Sequence, residues 1–179
     1  MFEVEIKYRV SSLADLRKVV SSIASPLGVS EEEDHYFNHP CRDFGATDEA
    51  VRIRLHGDGE VIITYKGPRL GSVGKTRMEI NIKVDDFKNA VEFLRQLGFS
   101  EVVSIRKRRE IYTVDKYTIY LDDAGDLGSF VEVETMVSSE QLTDATAKDI
   151  LRFSEEKLGL APTQIEPRTY LELAMGNRR

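Results

Sequence analysis

The sequence contains little cysteine and no long apolar segment. Its one cysteine, Cys41, excludes an intramolecular disulfide and a zinc site built from several cysteines. No apolar run approaches the roughly 18 residues that a membrane-spanning helix needs. The N-terminal residues Met1-Phe2-Glu3 do not begin a signal peptide, because no basic stretch precedes an apolar one. These absences predict a cytoplasmic protein that has no membrane partner.

Basic residues are also in the minority. The chain has 25 Lys and Arg against 31 Asp and Glu, which gives a formal net charge of -6 and argues against nucleic acid as a partner. Hydrophobic residues make up 41% of the chain, enough for a packed core, and they are spread evenly. Neither a repeat nor a low-complexity linker interrupts the sequence, so we expect a single domain over residues 1–179.

The spacing of apolar residues predicts an α+β protein dominated by an antiparallel sheet. Alternation of apolar with polar residues predicts strands at 2–10, 51–55, 60–66, 75–84, 103–114, 116–122 and 129–137. Spacings of three and four predict helices at 12–24, 86–97 and 140–158, and a short fourth helix through Tyr170, Leu171 and Ala174. The sequence Gly57-Asp58-Gly59 predicts a hairpin turn. The glycine-rich stretch 67–74 lacks the ending of a P-loop and predicts a loop at the mouth of the site.

The charged residues of these strands occur as like-charged pairs two positions apart. Side chains two apart leave a strand on the same face, so each pair shares a face. The pairs are acidic on the first and last strands and basic on those between. One interpretation is a half-buried sheet with its charged face in water. Like charges side by side are costly, however, unless an ion of opposite sign lies between them. The pattern therefore favours a sheet that curls into a tunnel around metal and polyphosphate, with helices on its apolar outer face.

The predicted interior has nearly equal numbers of acids and bases, so an empty tunnel would not carry the energetic cost of uncompensated buried charge. Its acids are Glu3, Glu5, Glu79, Asp122, Glu132 and Glu134, and its bases are Lys7, Arg52, Arg54, Lys66, Arg77, Lys107 and Arg109.

Short motifs occur in a fixed order along the chain. They are Glu3-Val4-Glu5-Ile6-Lys7, Asp34-His35-Tyr36-Phe37, Arg52-Ile53-Arg54, Lys66, Arg77-Met78-Glu79, Lys107-Arg108-Arg109, Asp122 and Glu132-Val133-Glu134. This order resembles the CYTH superfamily, the triphosphate tunnel metalloenzymes, and is closest to class IV adenylyl cyclases and thiamine triphosphatases. The resemblance implies a closed or nearly closed, eight-stranded antiparallel tunnel. Asn81 departs from the family pattern, which often has an acid there, and this weakens any metal or base role at that position.

The chemistry of these groups suggests a role for each. Carboxylates suit Mg²⁺ or Mn²⁺, and the predicted ligands are Glu3, Glu5, Asp122, Glu132 and Glu134. Basic groups suit phosphate oxygens, and the predicted triphosphate clamp is Arg52, Arg54, Lys66, Arg77, Lys107 and Arg109. Glu79 shares the interior without an assigned role. The resemblance to thiamine triphosphatases suggests that Lys7 and Tyr36 activate a nucleophile. The alternative is that Lys7 is one more phosphate ligand.

The function that we expect is a metal-dependent reaction of a small-molecule triphosphate. The resemblance favours conversion of ATP to 3′,5′-cyclic AMP and pyrophosphate. The alternative is a phosphohydrolase of thiamine triphosphate, tripolyphosphate or a nucleoside triphosphate, because the same metal and clamp would serve water as the nucleophile. A third interpretation is a polyphosphate-binding module without catalysis, which would not need so many carboxylates. Family habit also suggests a homodimer.

Overall fold

A computed structural model describes residues 2–70 and 75–176 of the chain. The strands in this part are β1 Phe2–Val10, β2 Ser25–Asn38, β3 Ala50–His56, β4 Val61–Lys66, β5 Lys75–Val84, β6 Ser100–Val114, β7 Tyr117–Asp123 and β8 Ser129–Val137. They form a closed barrel in the order β1-β5-β4-β3-β2-β6-β7-β8. Each neighbouring pair is antiparallel, including β1 with β8, which closes the ring. The predicted closed eight-stranded barrel is confirmed.

The helices of the described residues are α1 Leu13–Ile23, α2 Phe44–Thr47, α3 Phe87–Gln96, α4 Thr143–Leu158 and α5 Tyr170–Gly176. Ser12 caps α1 as expected, because its side chain accepts a hydrogen bond from the Ala14 amide. The four predicted helices are present, although residues 140–142 form a short 3-10 turn before α4. The four-residue helix α2 was not predicted.

One strand of the barrel, β2, was also missing from the sequence-based prediction. It pairs with β6 along its length and with β3 over residues 32–37. The run Glu31-Glu32-Glu33-Asp34 in its middle shows no alternation of polarity. The loop predicted at 67–74 falls partly outside the described residues, which omit 71–74.

The outer face of the barrel is apolar and lies under helices. On β1, the side chains of Val4, Ile6 and Tyr8 point outward and are buried in a cluster with Val20 of α1 and Ile150 of α4. A second outer cluster joins the strands β2 to β4 with α3, and its members are Phe37, Phe44, Val51, Ile53, Val61, Ala90, Val91 and Leu94. Because side chains alternate along a strand, this packing turns the charged positions inward.

One end of the barrel interior is closed by α5. Several strand positions that share a face with the charged residues are apolar at this end: Tyr36, Ala50, Val103, Ile105 and Phe130. The helix packs against them through Tyr170 and Leu173, both of which are buried. We expected helices on the outer face, and α5 differs from this because it covers an end. The opposite end, where Ile62 and Ile111 lie, retains partly exposed inward-facing side chains.

Candidate active site in the barrel interior

Three carboxylates meet on one wall of the interior. Oxygen atoms of Glu3, Glu5 and Glu134 all lie within 4.8 Å of one another. Glu3 and Glu5 share the inward face of β1, and the antiparallel register places Glu134 of β8 directly opposite Glu5. Oxygen-rich, closely spaced groups of this kind fit Mg²⁺ or Mn²⁺, which prefer carboxylate ligands and retain several waters.

The surroundings of these carboxylates make their negative charge costly. Burial raises the pKa of Glu3 to about 8, although Lys66 opposes the shift, and the charges of Glu79 and Glu134 add to it. Burial likewise raises the pKa of Glu134 to about 7, while the Tyr120 hydroxyl donates a 2.7 Å hydrogen bond to its Oε1. A cation at this wall would offset the repulsion among these groups. The donor set therefore fits a divalent metal.

The other two predicted ligands, Asp122 and Glu132, lie in a different environment. Asp122 is fully buried and accepts hydrogen bonds from Lys107 Nζ at 3.0 Å, Arg109 Nε at 2.7 Å and the Tyr170 hydroxyl at 2.6 Å. Burial would raise the pKa of Asp122, but Arg109 and Lys107 hold it below its usual value. Glu132 pairs closely with Arg109 and lies 3.5 Å from Lys7 Nζ. Among the described residues, neither joins the cluster of Glu3, Glu5 and Glu134.

Basic residues of the predicted clamp are held in pairs by buried aspartates. Arg54 of β3 donates to Asp34 of β2 through Nε at 2.6 Å and Nη2 at 2.8 Å. Arg52, two positions earlier, donates to the same carboxylate at 3.4 Å. Burial opposes the ionisation of Asp34, yet these two arginines hold its pKa well below its usual value. Asp122 holds Lys107 and Arg109 of β6 in the same way, so each aspartate fixes two bases of a neighbouring strand.

Two arginines of the predicted clamp have buried N–H groups that make no hydrogen bond with any described residue. In the described part of the chain, Arg52 Nε and Arg77 Nη2 are buried without a hydrogen bond. Arg77 is 4% exposed, and its nearest acid is Asp48, 3.6 Å from Nη2. Buried donors without acceptors are costly, so both groups fit an anionic ligand that would accept from them. Lys66 lies on the strand between them and pairs closely with Glu79, the acid without an assigned role.

The two residues predicted to activate a nucleophile, Lys7 and Tyr36, line the same cavity. Lys7 is 2% exposed, and its Nζ lies 3.7 Å from the centre of the Tyr170 ring. Tyr36 packs in the apolar cluster next to Ala50, and burial raises the pKa of its hydroxyl. Their role as a pair stays a prediction.

Other interior residues were missed by the sequence analysis. Glu32 lies 2.9 Å from Arg54 Nη1 and 3.3 Å from Lys107 Nζ, and Asp34 was quoted only as part of a motif. The spacing of two between these acids matches the other charged pairs and could have revealed them. Tyr120 and Tyr170 also face the interior but carried no charge pattern that would have identified them.

The interior forms a cavity of about 390 Å³. It is lined by the three-carboxylate wall, by both paired sets of bases and by Arg77, and Asp122 lies behind it. Cavities of this size hold small-molecule ligands. Over the described residues, none of the helices has the length and apolar character needed to cross a membrane.

Comparison with known proteins gives a consistent family. The CYTH domain family matches residues 1–170. A Methanocaldococcus jannaschii protein, named as a candidate adenylate cyclase, is 38% identical over 178 residues, covering 97% of this chain and 98% of the relative. The adenylate cyclase CyaB of Aeromonas hydrophila is 29% identical over 175 residues, covering 96% of this chain and 88% of the relative.

Solved structures share the fold. A protein of Pyrococcus horikoshii superposes with a TM-score of 0.92 at 38% identity, covering 98% of this chain and 99% of that protein. A Hippeastrum protein superposes with a TM-score of 0.68 at 15% identity, covering 98% of this chain and 95% of that protein. It is described as a candidate adenylyl cyclase with a dominant triphosphatase activity, and its likeness extends to the fold alone.

Proposed function

The chain belongs to the CYTH domain family, and from this premise we propose that it is a metal-dependent adenylyl cyclase. The substrate would be ATP, and the products 3′,5′-cyclic AMP and pyrophosphate. The observation that carries the proposal is the interior cavity, where three carboxylates face buried arginines that have N–H groups to spare. The names of two relatives favour a cyclase over other reactions of a triphosphate.

In this proposal Glu3, Glu5 and Glu134 hold Mg²⁺ or Mn²⁺. The ion supplies positive charge to the phosphate oxygens when it is bound. Charge stabilisation and positioning account for most of the catalysis in phosphoryl and nucleotidyl transfer. The carboxylates therefore contribute by their position, and the register between β1 and β8 sets that position.

The basic residues bind the triphosphate in this proposal. Arg52 and Arg77 would donate to phosphate oxygens through the buried N–H groups that make no hydrogen bond within the described part of the chain. Arg54, Lys107 and Arg109 are held by Asp34 and Asp122, so their charges are set in place before the substrate arrives. Fixing charges beforehand avoids the cost of reorganising them during the reaction.

The reaction forms one bond and breaks one. The ribose 3′-oxygen bonds to the α-phosphorus, and the bond from that phosphorus to the bridging oxygen of the β-phosphate breaks. Pyrophosphate leaves with that oxygen. The proton of the 3′-hydroxyl must pass to a base, and the Lys7–Tyr36 pair is the candidate carried over from the sequence.

A triphosphate hydrolase is the second candidate function. The groups that contact the triphosphate are the same in either reaction, and water would replace the ribose hydroxyl as nucleophile. The supporting observation is that the cavity is lined by the three-carboxylate wall and by the bases of the clamp, groups suited to metal and phosphate, and none of these groups requires a nucleoside for turnover.

The decisive experiment is product analysis. Purified protein is incubated with Mg²⁺ or Mn²⁺ and, separately, ATP, thiamine triphosphate or tripolyphosphate, and the products are identified by chromatography and phosphorus NMR. We expect cyclic AMP and pyrophosphate from ATP. Orthophosphate from any of the three would identify the hydrolase. Binding without turnover would identify a polyphosphate-binding module and reject both enzymatic functions.

A further inference from the structure

Tyr120 of β7 contacts both charged parts of the cavity. Its hydroxyl donates a 2.7 Å hydrogen bond to Oε1 of Glu134, a member of the three-carboxylate wall. Its ring lies against the guanidinium of Arg109, whose Cζ is 4.0 Å from the ring centre. Arg109 belongs to the predicted triphosphate clamp. One side chain therefore touches both the candidate metal wall and the clamp.

The register of the sheet gives Tyr120 this position. Tyr120 pairs with Glu132 on β8 and with Ile111 on β6, and it lines the cavity. Glu134 and Arg109 each lie two positions from one of these paired residues. Such diagonal neighbours on a partner strand are within reach of an aromatic side chain. Tyr120 can therefore contact one charged group on each of the two strands beside it.

The hydroxyl of Tyr120 has the geometry of a group that orients a metal ligand. It carries one proton and so donates to one carboxylate oxygen at a time. Its bond to Oε1 of Glu134 fixes that oxygen and leaves the other oxygen to a cation. Hydrogen bonds of this kind hold metal-binding side chains in place, and their loss typically costs roughly 10- to 100-fold in metal affinity.

The ring of Tyr120 acts on a different group. Arg109 donates through Nε and Nη2 to Asp122 and pairs closely with Glu132, so acids hold the edge of its guanidinium. The ring covers a face of the same guanidinium, and Arg109 is 7% exposed. An aromatic face attracts a cation, and a planar guanidinium stacks on it. The ring and the acids together therefore fix the plane in which Arg109 presents its N–H groups.

We propose that Tyr120 is a positioning residue for both ligands: its hydroxyl orients Glu134 toward the metal ion, and its ring orients Arg109 toward the triphosphate. This inference rests on the proposed function, because it assumes that Glu134 binds metal and that Arg109 binds phosphate. Two substitutions at this position separate the two effects. Tyr120→Phe removes the hydroxyl alone, whereas Tyr120→Leu removes the hydroxyl and the aromatic ring.

The test measures two dissociation constants by calorimetry, that of Mn²⁺ alone and that of imidotriphosphate alone, a tripolyphosphate analogue that resists cleavage. Neither measurement depends on turnover. The variants are Tyr120→Phe, Tyr120→Leu, Glu134→Ala and the double variant with Tyr120→Phe and Glu134→Ala. The matched control is Tyr117→Phe, because Tyr117 lies on the same strand but belongs to the outer apolar cluster. Circular dichroism verifies that each variant is folded.

We expect Tyr120→Phe to weaken Mn²⁺ binding by roughly tenfold or more, because Glu134 loses the bond that orients it. Binding of imidotriphosphate should change by less than about twofold, because the ring stays on Arg109. Tyr120→Leu should weaken Mn²⁺ to the same extent, and it should also weaken imidotriphosphate by roughly threefold or more. Tyr117→Phe should bind both ligands as the wild type does.

The double variant distinguishes positioning from general support of the barrel. When Glu134→Ala is already present, Tyr120→Phe should change Mn²⁺ binding by less than about twofold, because the hydroxyl has no carboxylate left to orient. A residue that only supports the barrel would cause the same loss of affinity with and without Glu134.

Three results would overturn the inference while leaving the proposed function in place. Wild-type Mn²⁺ affinity in Tyr120→Phe would mean that the hydroxyl does not orient Glu134. An equal loss of Mn²⁺ affinity with and without Glu134 would mean that Tyr120 does not act through this carboxylate. Unchanged imidotriphosphate affinity in Tyr120→Leu would mean that the ring does not position Arg109. A wild-type protein that binds neither ligand would instead reject the proposed function itself.

Discussion

At the scale of single residues, the surroundings of an acid decide what it can do. Glu134 and Asp122 face the same interior from β8 and β7. Glu134 lies among other carboxylates and has a raised pKa, so it favours a cation. Asp122 lies between Lys107 and Arg109, so its charge is already compensated. We therefore infer that Glu134 serves the metal and that Asp122 positions the clamp.

The proposed metal role of Glu5 leads to a first prediction. Glu5→Gln should lower turnover by about 100-fold or more, because one charged ligand is lost where phosphate charge must be stabilised. Without metal, the unfolding temperature of this variant should be unchanged or higher than that of the wild type, because the repulsion between residue 5 and Glu134 is removed. The rise in unfolding temperature caused by Mn²⁺ should disappear.

The control for this experiment is Glu156→Gln, which removes one exposed acid from α4 and should retain both activity and the Mn²⁺ response. Full activity of Glu5→Gln would remove Glu5 from the metal site.

A second prediction separates the two interpretations of Asp122. Asp122→Asn should lower the free energy of unfolding by about 3 kcal/mol, because it removes a fully buried counter-charge that Lys107 and Arg109 share. Chemical denaturation measures this change. Asp149→Asn, which removes a partly exposed acid paired with Lys116 and Arg152, should cost less than about 1 kcal/mol. If Asp122→Asn were as stable as the wild type but lost its response to Mn²⁺, Asp122 would be a metal ligand.

At the scale of secondary-structure elements, polarity patterns predicted seven strands and missed β2. Prediction from alternating polarity requires a strand with one polar and one apolar face. The middle of β2 carries charged side chains on both faces. Glu32 and Asp34 point inward to Arg54, whereas Glu33 points outward and lies 3.1 Å from Arg106. Polarity does not alternate along such a strand, although successive side chains still point to opposite faces.

The candidate site was predictable to the extent that its residues alternate with apolar ones. The acids of β1 and β8 do so, and the structure brings three of the five predicted metal ligands together, Glu3, Glu5 and Glu134. Which acid meets which base depends on strand register and barrel closure, neither of which a single strand encodes. The separation of Asp122 and Glu132 from the three-carboxylate wall therefore could not be predicted from pattern alone.

A third prediction concerns the link between α1 and β6. Arg17 donates two hydrogen bonds to Glu110, at 2.8 and 2.7 Å. These bonds, together with a bond from Arg108, lower the pKa of Glu110 to about 2, from 4.5. Because the folded pKa is depressed, the stabilisation is complete above about pH 4.5 and is lost as the pH falls toward 2.

Urea unfolding of the wild type and Glu110→Gln at several pH values tests this link. The variant should be about 1 kcal/mol less stable at pH 7, and the difference should shrink between pH 4.5 and 2.5. Glu156→Gln serves as the control, since it removes an exposed acid on α4. A difference that stayed constant with pH would mean that Glu110 contributes by packing and not by charge.

At the scale of the whole molecule, the interior is an ionic compartment inside an apolar shell. With Glu32 and Asp34 added, the predicted interior set comprises eight acids and seven bases: Glu3, Glu5, Glu32, Asp34, Glu79, Asp122, Glu132 and Glu134 against Lys7, Arg52, Arg54, Lys66, Arg77, Lys107 and Arg109. Asp48, Glu49 and Glu172 also line the cavity. A polyanion entering alone would meet the three-carboxylate wall without its cation, and a cation alone would leave the buried N–H groups of Arg52 and Arg77 without an acceptor. Each ligand therefore improves the site for the other.

This balance leads to a fourth prediction, that metal and triphosphate bind with positive coupling. Mn²⁺ at saturating concentration should tighten imidotriphosphate binding by roughly tenfold or more. By reciprocity, imidotriphosphate should tighten Mn²⁺ by the same factor, and titrations in both orders measure the two values. In Glu5→Gln the factor by which each ligand tightens the binding of the other should fall toward one. Independent binding in the wild type would place metal and anion at separate sites.

The candidate metal wall combines residues of the first and last strands of the barrel, because β1 and β8 pair with each other. Glu3 and Glu5 lie on β1, the first strand along the described chain, and Glu134 lies on β8, the last strand. A nascent or C-terminally truncated chain without β8 has neither the third carboxylate nor a closed ring. Under the proposed function, metal binding at this wall therefore requires the closed barrel.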